Sequence, residues 1–202
     1  MIEIKEVSKS FGDKVVFDGF SLTIEDGAFV VFAGNSGCGK TTLLNMIGAL
    51  EKPDSGQIFV DGVDIYKIRR KEDYFTYKVG FLFQNFALVE NKTVRKNLDY
   101  VQKKARTSIS LDEALKSVGI EDKIDTLVYK LSGGEQQRVA LARLMYKKCD
   151  IILADEPTGS LDTENAKMVL NFLHKLNDEG KTIILVTHDE KIISSERNVV
   201  RL

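Results

Sequence analysis

FVVFAGNSGCGKTTLLNMI, residues 29 to 47, joins an unbroken apolar run to a glycine-rich loop and then to a helical pattern. Phe29 to Ala33 contains no alternating polar residue, which predicts a strand buried on both faces, as in a parallel sheet. Gly34, four residues, then Gly39, Lys40 and Thr41 match the phosphate-binding loop. Glycines let such a backbone wrap so that several N–H groups point inward at phosphate oxygens. Asn35, Ser36, Gly37, Cys38, Gly39, Lys40, Thr41 and Thr42 are the candidate contacts; Lys40 adds a cation at the β/γ oxygens and the Thr41 hydroxyl can ligate Mg²⁺. Leu43, Met46, Ile47 and Leu50 then recur at helical spacing, and a helix here aims its positive end at the same spot. Pro53-Asp54-Ser55-Gly56 supplies turn chemistry to close it.

Three more runs of the same kind follow: VGFLF at 79–83, IILA at 151–154 and IILV at 183–186. Each leads straight into polar groups, namely Gln84, Asp155-Glu156 and Thr187-His188. Ligands of open α/β sheets bind beyond the carboxyl ends of the strands, so these residues are expected on one rim with the phosphate loop. There Asp155 is placed to hold Mg²⁺ and Glu156 to polarise an attacking water.

A helix is expected from about Glu164 to Asn177, with Ala166, Val169, Leu170 and Leu173 on one face and Gly180 beyond its end. Ile2/Ile4 and Leu22/Ile24 alternate with polar neighbours, and Ile58/Val60 lead into Asp61-Gly62, so a small antiparallel region with a hairpin should flank the main sheet. From about Phe86 to Lys130 no strand-like run occurs; Leu111, Leu115 and Val118 suggest a mostly helical insertion.

The 202 residues suit one sizeable domain. With 29 Lys+Arg against 30 Asp+Glu, a net charge of -1 gives no support to nucleic-acid binding. Cys38 and Cys149 lie far apart, without metal-ligand spacing, and read as free thiols of a reducing compartment. The N-terminus lacks the apolar core of a secretion signal, and no run approaches the roughly 20 residues of a membrane span. The chain is therefore expected inside the cell, and a transport role would need another polypeptide.

Residues 131–138, LSGGEQQR, sharpen the class. Ser132-Gly133-Gly134 caps a helix beginning near Glu135 and offers N–H groups and a hydroxyl to an anion. Together with the phosphate loop upstream and Asp155-Glu156 downstream, this segment resembles the signature of the ATP-binding cassette (ABC) family, and the resemblance covers essentially the whole chain. It implies a P-loop NTPase with a RecA-like parallel core, a small antiparallel β region and a helical subdomain at about 86–135, all in one domain of residues 1–202. It also implies roles: Phe11 stacking on adenine, Gln84 as the Q-loop residue, catalytic and in contact with Mg²⁺, that links the nucleotide to the membrane partner, Ser160-Leu161-Asp162 as the D-loop and His188 as the switch histidine.

By the same resemblance, ATP and Mg²⁺ are the ligands, and two copies pair head to tail so that Ser132, Gly133, Gly134 and Glu135 of one complete the site of the other. The expected second partner is a transmembrane permease, received along Asn85–Leu98 with Phe86, Leu88 and Val89 in contact, on the inner face of the cell membrane. The sequence looks most like the lipoprotein-release, macrolide-export and peptide-export group, and GFLFQNFALVENKTVRKNL is similar to subunits assigned to bacteriocin export. It stops soon after His188, where many members of the family continue for a further helix. The alternative is a soluble ABC ATPase acting on DNA or ribosomes, although the long insertions, zinc motifs and tandem cassettes usual there do not occur.

Overall fold

The computed structural model describes residues 1–159 and 161–202. Its centre is a parallel sheet of β3 (Phe29–Ala33), β6 (Val79–Leu82), β7 (Ile151–Asp155), β8 (Thr182–Val186) and β9 (Val199–Arg201), in the order β6-β7-β8-β3-β9. All five residues of β3 and of β8 are buried. Successive side chains point to opposite faces. Val30, Phe32, Ile184 and Val186 thus meet Leu43, Leu44, Met46 and Ile47 of α1 (Lys40–Ile47). Val31, Ala33, Ile183 and Leu185 meet the other core, where α5 (Gly133–Tyr146) and α6 (Thr163–Asp178) pack. Two-sided burial is why the strands read as continuous apolar runs.

The antiparallel region is a second sheet, ordered β2-β1-β4-β5, of β1 (Ile2–Phe11), β2 (Lys14–Ile24), β4 (Ser55–Val60) and β5 (Val63–Asp64). Ile2 lies opposite Ile24 and Val60, and Ile4 opposite Leu22 and Ile58, so the alternating apolar residues share one face. Asp61 and Gly62, at φ 52° and 75°, form the two-residue hairpin turn between Val60 and Val63.

Several details depart from the sequence reading. α1 stops at Ile47: Gly48 caps it and Ala49 turns left-handed at φ 56°, so Leu50 is half-exposed and outside the apolar face. The freed carbonyls are taken by tyrosine hydroxyls, Tyr66 donating to Met46 O (2.6 Å) and Tyr74 to Ile47 O (2.7 Å). Ser55 and Gly56 already belong to β4, leaving the turn to Glu51–Asp54. A short helix that the sequence reading missed, α2 (Lys71–Asp73), runs into a π-helical turn at Tyr74–Lys78, and β9 carries no strong run of its own.

Between residues 86 and 130 the helices are short: α3 (Val94–Asp99), capped by Thr93, and α4 (Leu111–Ser117), closed by a reciprocal Ser110–Glu113 capping box. Single 3₁₀ turns and loops make up the rest, so the insertion is less helical than its pattern suggested. A last helix, α7 (Glu190–Ser195), follows β8.

Candidate functional site

The loop after β3 is built around close approaches that a side chain would block. A Cβ on Gly34 would lie 2.7 Å from Leu202 O, and one on Gly39 (φ 106°) 2.5 Å from Val16 Cγ1 and 2.9 Å from Phe17 Cζ. The loop folds back over Lys40, which is 6% exposed, and its ammonium donates to Gly34 O (2.8 Å) and Asn35 O (2.9 Å). A cation is thereby held inside a ring of backbone.

This loop forms one wall of a cleft of about 830 Å³. Asn35, Ser36, Gly37, Gly39, Lys40, Thr41 and Thr42 line it, as do Phe11, Gln84, Glu156 and His188. Four strand ends thus converge on one volume, as the spacing of the motifs required. Phe11, the last residue of β1, is half-exposed, with Lys9 Nζ 5.0 Å from its ring centroid.

At the next strands the acidic groups are differentiated. Thr41 donates its hydroxyl to Asp155 (3.0 Å). Burial raises the Asp155 pKa, the neighbouring Glu156 charge adds to this, and the Thr41 bond and Lys40 oppose it. Glu156 takes a left-handed backbone (φ 46°), which turns its carboxylate out of the β7 line and into the cleft. Its Oε1 lies 2.7 Å from His188 Nδ1, and the histidine side chain is 70% exposed against 16% for the glutamate. A sheltered carboxylate held by an accessible imidazole can orient and deprotonate water.

Two groups of expected residues lie elsewhere. Cys38 is not on the cleft wall: its N–H donates to Asn35 O (3.3 Å) and its thiol packs behind Gly34, 3.9 Å from Lys40 Nζ. Ser132, Gly133, Gly134 and Glu135 are also off the cleft, at the start of α5. Here Ser132 N and Oγ donate to Glu135 Oε2 (2.8 and 3.0 Å) and Glu135 N donates back to Ser132 Oγ (3.3 Å). Of the expected D-loop, Ser160 lies outside the described residues; Leu161 packs against the core and Asp162 caps α6 by accepting from Asn165 N (2.8 Å). Lys14, Val16, Glu190, Ile193 and Arg201 also line the cleft, and no motif marked them.

A second, apolar groove of about 400 Å³ opens beside β6, among Phe75, Phe81, Phe83, Val89, Tyr100 and Leu144. Of the three residues expected to meet a partner helix, only Val89 faces it. Phe86 and Leu88 instead pack against the main core, because Phe86 and Ala87 turn left-handed (φ 61° and 47°). Among the described residues no helix is long and apolar enough to cross a membrane.

A phosphate loop, a carboxylate pair and a histidine on one rim of a parallel sheet define a P-loop ATPase. The model of the ABC transporter family matches residues 17–159, and the chain belongs to that family. It is similar over its whole length to the macrolide export ATP-binding/permease protein MacB of Campylobacter jejuni (39% identity), of which it spans 33%. The chain thus covers about a third of the length of such curated relatives. It is also 38% identical to the lipoprotein-releasing system ATP-binding protein LolD of Leptospira interrogans, across the whole chain and 88% of that protein. Among solved structures, the dimeric ATP-binding cassette MJ0796 in a post-hydrolysis state bound to ADP and Pi superposes with a TM-score of 0.86 at 33% identity, covering all of this chain and 94% of the other.

Proposed function

We propose that the chain is the ATP-hydrolysing subunit of a membrane exporter, working in pairs on the inner face of the cell membrane with a transmembrane permease. One observation carries this reading: Lys40, Thr41, Gln84, Glu156 and His188 surround one cleft, while the signature segment lies off it at the start of α5. On this reading half of each site comes from a second copy.

In this mechanism Phe11 stacks on the adenine, and the loop N–H groups and Lys40 hold the β- and γ-phosphates. Glu156 accepts the proton of the attacking water, and His188 keeps that carboxylate oriented and faces the γ-phosphate. Ser132, Gly133, Gly134 and Glu135 of the second copy cover the nucleotide from the other side. The Thr41 hydroxyl and the Asp155 carboxylate, 3.0 Å apart, are hard oxygen donors of the kind Mg²⁺ takes alongside phosphate, with Gln84 on the same rim. Mg²⁺ bound there would neutralise charge on the β- and γ-oxygens.

The dimeric MJ0796 cassette supports the pairing, and MacB, whose name couples ATP-binding to permease, supports the membrane partner. The apolar groove beside β6 is the seat we assign to that permease. The cargo is a peptide of the bacteriocin type or a lipophilic molecule; the relatives named for macrolide export and lipoprotein release favour the second.

Glu156→Gln tests the catalytic assignment. ATP binding should persist, turnover should fall by about 10²–10⁴-fold, and ATP should trap a dimer on gel filtration. Turnover at the parent rate would sink the role of Glu156. Recovery of the chain with ribosomes or DNA, rather than with a detergent-extracted permease, would sink the transport role.

A further inference from the structure

Helix α5 begins at the signature segment and carries Arg143 eleven residues after Ser132, about 16 Å along the axis at the α-helical rise. Arg143 Nη1 donates to Ala87 O (2.6 Å) and Nη2 to Phe86 O (2.8 Å). These carbonyls belong to the two consecutive non-glycine residues in left-handed backbone, conformations that persist only where the surroundings hold them. Burial lowers the Arg143 pKa, and among the described residues no carboxylate pairs with it. The fork is thus committed to one task, gripping two adjacent peptide groups through two nitrogens held in one rigid plane.

The gripped segment has two ends. Gln84 lines the nucleotide cleft, while Ala87 and Val89 line the apolar groove, whose wall includes Arg143 itself. A half-buried side chain therefore joins the helix headed by the signature to the stretch between nucleotide and groove.

We infer that Arg143 is a positioning residue that transmits ATP-driven closure at the head of α5 to residues 84–89, setting the shape of the groove. The inference rests on the pairing and on the groove as permease seat.

The test uses Arg143→Met, which keeps much of the apolar stem, and Arg143→Lys. Hydrogen–deuterium exchange of the peptide covering residues 84–90 is followed with and without ATP in the Glu156→Gln chain. Gel filtration reports the dimer, and basal turnover is measured with Glu156 intact. In the parent, ATP should slow exchange across 84–90. In Arg143→Met that exchange should be about tenfold faster without ATP and no longer respond to it, while dimerisation and basal turnover stay within about twofold of the parent. Arg143→Lys should restore part of the response. The inference fails if the response survives in Arg143→Met, if dimerisation is lost along with it, or if the parent segment never responds. Failure of the parent to recover with a permease would strike the docking reading alone, since the transmission is measured within the chain.

Discussion

Substituting alanine at Gly39 and, separately, at Gly37 divides backbone strain from steric conflict in the phosphate loop. Gly37 sits at φ 79°, and the atom nearest an added Cβ is Lys14 Nζ at 3.5 Å, the end of a flexible side chain. Gly37→Ala should therefore cost only the conformational penalty, about 1–3 kcal/mol. Gly39, at φ 106°, carries that penalty and also drives the methyl to 2.5 Å from Val16 Cγ1 and 2.9 Å from Phe17 Cζ. Both contacts lie on strand β2, which cannot move without disturbing the antiparallel sheet. Overpacking adds about 1–3 kcal/mol, so Gly39→Ala should cost about 2–6 kcal/mol in all.

For a chain of this size the total corresponds to a fall in Tm of about 4–24 °C. If the loop yields instead of the core, the same free energy appears as lost ATP affinity, because the cradle must be rebuilt before phosphate can enter. Calorimetry and titration with a fluorescent nucleotide, taken together, capture both outcomes. The reasoning is refuted if the two variants agree within about 0.5 kcal/mol in stability and in binding alike.

Three further outcomes are expected. Phe11→Ala should weaken ATP binding by about 1–2 kcal/mol in nucleotide titration, while Phe11→Tyr, which keeps the ring face, should stay within about twofold. His188→Ala removes the 2.7 Å contact to Glu156 and should lower turnover about 10²-fold with little change in ATP affinity, as steady-state kinetics would report. Lys78 bridges Asp61 (2.9 Å) and Asp150 (2.8 Å), and its hydrogen bond holds the Asp61 carboxyl below the ordinary 3.8. That stabilisation is complete above the unfolded value and is lost as pH falls through the lower folded one. Lys78→Met should therefore raise the acid-unfolding midpoint, and, because both side chains are more than a third exposed, cost less than about 1 kcal/mol at neutral pH.

What could be read in the sequence follows the physics of each element. Burial on both faces strips polar residues from a strand, so β3, β6, β7 and β8 announce themselves, and the polar residue ending each apolar run lands on the rim. β9 did not, being three residues long with exposed Arg201 among them. Leu50 kept the helical period after Gly48 and Ala49 had already ended the helix. Phe86 and Leu88 were expected at a partner surface because two left-handed residues are invisible to periodicity. Contacts between distant parts of the chain, such as Tyr66 on Met46 or Arg143 on Ala87, leave no local pattern. Neither do Lys14 and Arg201, which reach the cleft only because their strands pair where they do.

The strand order β6-β7-β8-β3 gives the rim a fixed gauge. Neighbouring strands stand about 4.8 Å apart, so the phosphate loop after β3 and Glu156 after β7 are two intervals, roughly 10 Å, from each other, with His188 at the mark between. Hydrogen-bonded backbone sets these intervals, and no side-chain rotation can alter them. A nucleotide anchored in the loop meets the far marks only if its phosphate chain is long enough. In the proposed mechanism, loss of the terminal phosphate would leave His188 and Glu156 facing water while the loop stayed filled. The sheet would thus measure, in that mechanism, how many phosphates are present, a spent nucleotide falling short of the far marks.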